Sequence, residues 1–153
     1  MDQKTKRIAI GSDHYGYKMK NEIKDYLISL GYLVDDFGVN DENPVMYPEI
    51  AINVCKEIQK GKYDRAILVC GTGAGMSIVA NKIKGVRAVC IHDAYTAERA
   101  RASNDAQVAT LGSLVIGINS AKKNIDIWLA NEFQGGRSKP KIDMINALDR
   151  SES

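Results

Sequence analysis

Cysteine is scarce and unpatterned in this sequence: Cys55, Cys70 and Cys90 form no CxxC pair and are odd in number. That excludes a disulfide framework and a cysteine-built zinc site, and it favours a reducing cytoplasm. Histidine is scarcer still. His14 and His92 lie far apart and belong to no HxxxH or HExxH arrangement, so no metal is expected. Long apolar runs are missing too. The first one, inside MDQKTKRIAIGSDH, is four or five residues long, too short for a signal segment or a membrane span, and the protein is expected to be soluble and not exported. No block of one charge occurs: 21 basic and 19 acidic residues are spread along the chain, and the net charge of +2 gives nucleic acid nothing to hold. Repeats, low-complexity tracts and linkers are absent. A single domain over 1–153 follows, with 44% apolar residues to build its core.

What is present is an alternation. Short β-branched runs (7–13, 32–38, 65–71, 87–93 and 108–117) are separated by stretches of helical period (17–30, 47–60, 76–83 and 96–104), and two further helices are predicted over 121–133 and 141–150. Alternating elements of this kind build βαβ units and a parallel sheet, and near-continuous apolar strands require helices on both faces. The expected fold is α/β: a flavodoxin-like (Rossmann-type) doubly wound five-stranded parallel sheet in three α/β/α layers. Ligands of such sheets bind outside the carboxyl ends of the strands.

Three segments there carry chemistry. The first strand runs into Gly11-Ser12-Asp13-His14, a carboxylate and an imidazole that read either as site groups or as a turn with a helix cap. The third runs into Cys70-Gly71-Thr72-Gly73-Ala74-Gly75-Met76-Ser77. Glycines there let the backbone approach a ligand, and free amides of the following turn favour an anion. No Gly-Lys-Ser/Thr follows, and Met76 occupies the last glycine position of GxGxxG, although Asp93 stands at the spacing of a ribose-binding acid. Cys70, just before a helix start, is either a thiolate base or a buried structural cysteine. Cys55 and Cys90 read as core. Late in the chain, Gly135-Gly136-Arg137-Ser138 with Lys139 and Lys141 reads as a turn presenting cations, of which Arg137 can grip a phosphate bidentately; a solvated basic turn is the bland alternative.

Taken together, GSDHYGYKMK, Tyr47-Pro48, CGTGAGMSIVANKIKGVRA, SNDAQVATLGS and FQGGRS resemble the ribose-5-phosphate isomerase B family over essentially the whole chain, in the family's order. The CGTGxGxSxxANK block is the most specific part. The resemblance implies interconversion of ribose 5-phosphate and ribulose 5-phosphate through an enediolate, without metal or organic cofactor. It implies Cys70 as the base, Thr72 as a residue positioning the opening sugar, and the Gly71, Gly73, Ala74 and Gly75 loop as an anion hole. Ser12, Asp13, Tyr47 and Asn104 then correspond to sugar contacts, and His14, Arg137 and Lys141 to phosphate contacts. The partners implied are a small sugar phosphate and a second copy of the chain, in a homodimer that can pair into a tetramer, with no nucleic acid and no membrane.

The chain departs from the family pattern in places. Ser103 stands where a histidine assigned to ring opening precedes the asparagine, leaving that catalytic step to Ser103 itself, Asp13, His14 or water. Leu114 replaces a phosphate-contacting arginine, Lys141 replaces another, and Ser138 replaces a histidine. Serine at position 103 enlarges the site, so the alternatives are isomerisation of a six-carbon sugar phosphate (allose 6-phosphate or galactose 6-phosphate) or a non-catalytic sugar-phosphate binding module.

Overall fold

The computed structural model describes residues 7–151; the ends of the expected domain, 1–6 and 152–153, lie outside the described residues. The apolar runs become β1 (Arg7–Ser12), β2 (Leu33–Asp36), β3 (Arg65–Cys70), β4 (Ala88–Cys90) and β5 (Val108–Gly112). All neighbours pair in parallel, in the order β2-β1-β3-β5-β4. Successive strand residues point to opposite faces, and the core divides accordingly. Ile8, Ile10, Ile67, Val69 and Leu111 pack beneath α1 (Tyr17–Ser29), α4 (Ala94–Ala102) and α5 (Ile118–Ala130). Ala9, Ala66, Leu68 and Cys70 pack beneath α2 (Tyr47–Gln59) and α3 (Ala74–Ala80). A 3₁₀ turn (Gly136–Ser138) leads into α6 (Lys139–Ser151), whose Asp149 and Asn146 accept from Gly85 N–H and Arg87.

The three-layer doubly wound sheet is as expected, with one detail of its own: β5 lies between β3 and β4, whereas flavodoxin itself runs 2-1-3-4-5. The late β5 thereby ends beside β3. Several boundaries move. β5 stops at Gly112 because Ser113 N–H and Leu114 N–H turn back onto the carbonyls of Cys70 and Gly71. β4 shortens to three residues as an edge strand. α6 starts at Lys139, with Pro140 in the first turn, where a missing N–H has no intrahelical partner to lose.

Trp128 anchors the α5 side. It is fully buried, donates from Nε1 to the Ala106 carbonyl at 3.3 Å, and carries the Arg65 guanidinium 5.2 Å from its ring. Trp128→Ala is expected to cost about 3–5 kcal/mol, because the vacated volume cannot collapse fully. Urea unfolding measures it, and a shift below about 1 kcal/mol would mean that the site repacks.

Candidate active site

Strand order reverses between β1 and β3, and their carboxyl ends are held together there. Ser12 is in register with Val69, and Asp13 N–H donates to the Val69 carbonyl at 3.3 Å. Here opens a cavity of about 320 Å³ lined by Asp13, Tyr15, Tyr47, Cys70, Gly71, Thr72, Gly75 and Leu114. Asp13 is 4% exposed and its Oδ1 accepts the Gly16 N–H at 3.1 Å, so it closes the turn into α1 and lines the cavity as well. The Ser12 hydroxyl is buried without a hydrogen-bond partner among the described residues.

The loop after β3 curls around its own cysteine. Cys70, 5% exposed, accepts the Gly73 N–H at Sγ over 3.2 Å, and Thr72 Oγ1 accepts the Ala74 N–H at 3.2 Å. Two of the loop amides are therefore already engaged. The Gly75 amide, in the first turn of α3, has no intrahelical acceptor. Gly75 is also where Tyr47 enters: a Cβ would collide with the Tyr47 ring.

Tyr47 reaches this point as the first residue of α2, at the end of a tethered loop. Ser12 and the 38–39 backbone exchange hydrogen bonds, and Val45 N–H donates to His14 Nδ1 at 3.2 Å, with the His14 and Tyr15 ring centroids 4.5 Å apart. Lys20, wholly buried, donates to Asp36 at 2.9 Å and to the Val39 carbonyl. Burial alone would raise the Asp36 carboxyl, but hydrogen bonds from Lys20 and Gly38 outweigh it and hold it below the usual range.

Behind the loop sits His92, which sequence reasoning left without a role. Its Nε2 accepts the Gly112 N–H at 2.8 Å and lies 3.5 Å from Cys90 Sγ. Burial pushes the imidazole down from its ordinary value, which keeps the neutral, accepting form. Cys90 is half-buried rather than core, whereas Cys55 is fully buried with its thiol raised to about 12 by burial. Asp93 caps α4, accepting Thr96 N–H at 2.7 Å and Thr96 Oγ1–H at 2.8 Å. That cap gives Asp93 a structural role that needs no ribose.

The cations lie elsewhere. A second cavity, of about 620 Å³, is lined by Tyr95, Arg99, Ser103, Gln134, Gly135, Gly136, Arg137, Ser138 and Lys141. Arg137 and Lys141 are exposed there without an ion-pair partner among the described residues. Arg99 is braced, donating to Ser103 Oγ at 2.7 Å, Gln134 Oε1 at 3.0 Å and Glu98 at 3.0 Å. Asn104 is exposed beside Ser103 and lines neither cavity. No residue is shared between the two cavities. Sequence reasoning missed Tyr15, Tyr95, Arg99 and Gln134. Arg99 was the findable one, one helical turn before Ser103.

A family model described as ribose/galactose isomerase matches residues 8–145. The chain belongs to that family. As a member of the ribose/galactose isomerases it is an aldose–ketose isomerase of the ribose-5-phosphate isomerase B type. It is 48% identical to ribose-5-P isomerase B of Listeria innocua, over 94% of this chain and 97% of the relative. It is also 48% identical to a D-erythrulose-4-phosphate isomerase of Pectobacterium atrosepticum, over 95% and 96%. The structure of Clostridium thermocellum ribose-5-phosphate isomerase B superposes with a TM-score of 0.94 at 42% identity, covering 96% of this chain and 99% of that one. Among the described residues of this family member, no three His, Cys, Asp or Glu side chains converge as a metal site, and no helix is long and apolar enough to cross a membrane.

Proposed function

We propose that the chain interconverts an aldose phosphate and its 2-ketose through an enediolate, with Cys70 as the base, and that ribose 5-phosphate and ribulose 5-phosphate are a substrate pair. The observation carrying this reading is Cys70 at the sheet's switch point, its sulfur on the Gly73 amide and its cavity shared with Asp13 and Thr72. The Cys70 thiolate removes the proton from C2 of the aldose, the C2 electrons form the C1–C2 double bond, and negative charge moves to O1. The Cys70 thiol then returns the proton to C1 while the O2 hydroxyl proton passes to O1, so that O1 becomes a hydroxyl, C2–O2 becomes the ketone carbonyl and the thiolate is restored. The Gly71–Gly75 loop faces the charge that develops on the way, a preorganised role that is largest in the transition state.

The base and the unpaired cations occupy separate cavities, which supports a site completed by a second copy of the chain. Large apolar residues stand exposed on and around both cavities: Tyr15 at 58%, Tyr95 at 74%, Leu114 at 74% and Val115 at 59%. Such a rim suits a two-fold interface. The three unpaired thiols fit a reducing cytoplasm.

Ribulose 5-phosphate is the substrate to test first, because its phosphorylated O5 keeps it open-chain. With chelator present it is expected to convert to ribose 5-phosphate and to acquire solvent deuterium. Binding without exchange would overturn the reading in favour of a binding module. Arg137→Ala is expected to raise KM about tenfold or more with kcat little changed, as for a contact made equally in ground and transition states. A fall in kcat at unchanged KM would contradict the phosphate role.

A further inference from the structure

The ladder between β4 and β5 stops one hydrogen bond short. Ile91 N–H donates to the Thr110 carbonyl at 3.1 Å, and a parallel pairing would next run from the Gly112 N–H to the Ile91 carbonyl. That carbonyl is instead taken by Asn124 Nδ2 at 3.0 Å, and the Gly112 amide turns to His92 Nε2 at 2.8 Å. An imidazole nitrogen therefore stands where a strand carbonyl would, and unlike a carbonyl it titrates. Accepting at Nε2 puts the neutral ring's one proton on Nδ1. Beside the ring are Cys90 Sγ, 3.6 and 3.5 Å from the two nitrogens, and Asp93, whose carboxylate is turned onto Thr96; Cys70 lies beyond Gly112 on β3. What Gly112 backs is the catalytic loop. A Cβ on Gly112 would stand 2.5 Å from the Thr72 carbonyl carbon, and one on Gly73 would stand 2.9 Å from the Leu111 carbonyl carbon and 3.2 Å from Gly112 N. Backbone meets backbone there, and Gly73 is the residue whose N–H reaches the Cys70 sulfur.

Resting on the isomerase reading with Cys70 as base, we infer that His92 is a positioning residue for the reaction: its neutral ring fixes the Gly112 amide and, through the Thr72–Gly73 backbone packed on Gly112, the loop around the Cys70 sulfur. A proton on Nε2 turns the acceptor into a donor aimed at another donor. Gly112 then moves off, and the loop loses its backing. Burial pushes the imidazole below its ordinary value, and Asp93 pulls it up by less. The hold is therefore in place above the ordinary histidine range, about pH 6.5, and is lost as pH falls through the lower folded value. Stability falls in the same direction, because the unfolded chain binds the proton that the folded ring resists.

The experiment compares the parent with His92→Gln and His92→Leu on ribulose 5-phosphate, following kcat, KM and Tm from about pH 8 down to about pH 5. Glutamine places an amide oxygen where Nε2 stood and does not titrate, so kcat of His92→Gln should lie near the parent's at the upper end. As pH falls, the ratio of His92→Gln to parent kcat should rise about threefold or more, since the parent alone loses its acceptor. Ionisation of the substrate phosphate cancels in that ratio. Leucine fills the space without accepting, and His92→Leu should lower kcat about tenfold or more at every pH with KM little changed. A ratio flat with pH, parent-like kcat in His92→Leu, or equal losses in the two variants would overturn the inference whatever happens to Tm, and leave the isomerase reading standing. If His92→Leu does not fold, the pH profile of His92→Gln decides alone. No turnover by the parent would overturn the isomerase reading and the inference with it.

Discussion

Cys70→Ala is expected to remove isomerisation, with a loss of about 10²- to 10⁴-fold or more, since general-base catalysis alone contributes that much. The substitution suits the question because it takes away one small atom group at a position 5% exposed at the end of β3. Among the described residues no side chain donates to that sulfur; its partner is the Gly73 amide, which can turn to water in the variant. Stability should therefore fall modestly, by about 1 kcal/mol for a lost partner and a small void. Exchange of solvent deuterium into ribulose 5-phosphate and circular dichroism, measured on the same preparation, separate the two effects. A folded variant that still exchanges deuterium at a rate near the parent's would take the base away from Cys70 and turn attention to Asp13, the carboxylate of the same cavity.

Gly112→Ala should be nearly as damaging, although Gly112 touches no substrate. A Cβ there would stand 2.5 Å from the Thr72 carbonyl carbon and 2.6 Å from its Cα, both backbone atoms that cannot swing aside. Either the loop moves or β5 does. Gly112 N–H is also held by His92 Nε2, so β5 resists, and the Cys70–Gly75 loop is the part that gives. Displacing reacting groups by about 1 Å can cost on the order of 10²-fold in rate, and overpacking costs typically about 1–3 kcal/mol. The expected result is a lower Tm together with a large loss of kcat on ribulose 5-phosphate. Gly117→Ala is the control, because its Cβ would meet nothing within 4 Å. Parent-like kcat in Gly112→Ala would mean that the position of the Thr72 backbone does not limit the chemistry.

The two sets of residues differ in how well they could be read in advance. Asp13 and Cys70 each follow an apolar run directly, and a strand that ends in a polar residue beside glycine announces the carboxyl edge of a parallel sheet. Tyr15 carried no signal of its own, yet its ring packs on His14 and lines the cavity. Arg99 lay unremarked in the helix predicted over 96–104. Its meaning came from Ser103 one turn later and from Gln134, which is 35 positions away in sequence. His92 carried no motif, and its bond to Gly112 exists because two strands are neighbours that no local pattern makes adjacent.

By itself the sequence determined the alternation of strands and helices, the parallel sheet covered on both faces, the glycine loop after Cys70 and, through that loop, the family. These follow from periodicity and from local backbone chemistry, which act over a few residues. Tertiary structure alone decided that β5 inserts between β3 and β4, so that Leu114 rather than a residue after β4 borders the catalytic loop. It also decided that Cys70 and the pair Arg137 and Lys141 face separate cavities of one chain. Strand order and the side on which a helix packs are settled by which apolar faces bury one another best across the whole sheet, and hydrophobic burial carries no directional label that a short stretch of sequence can display.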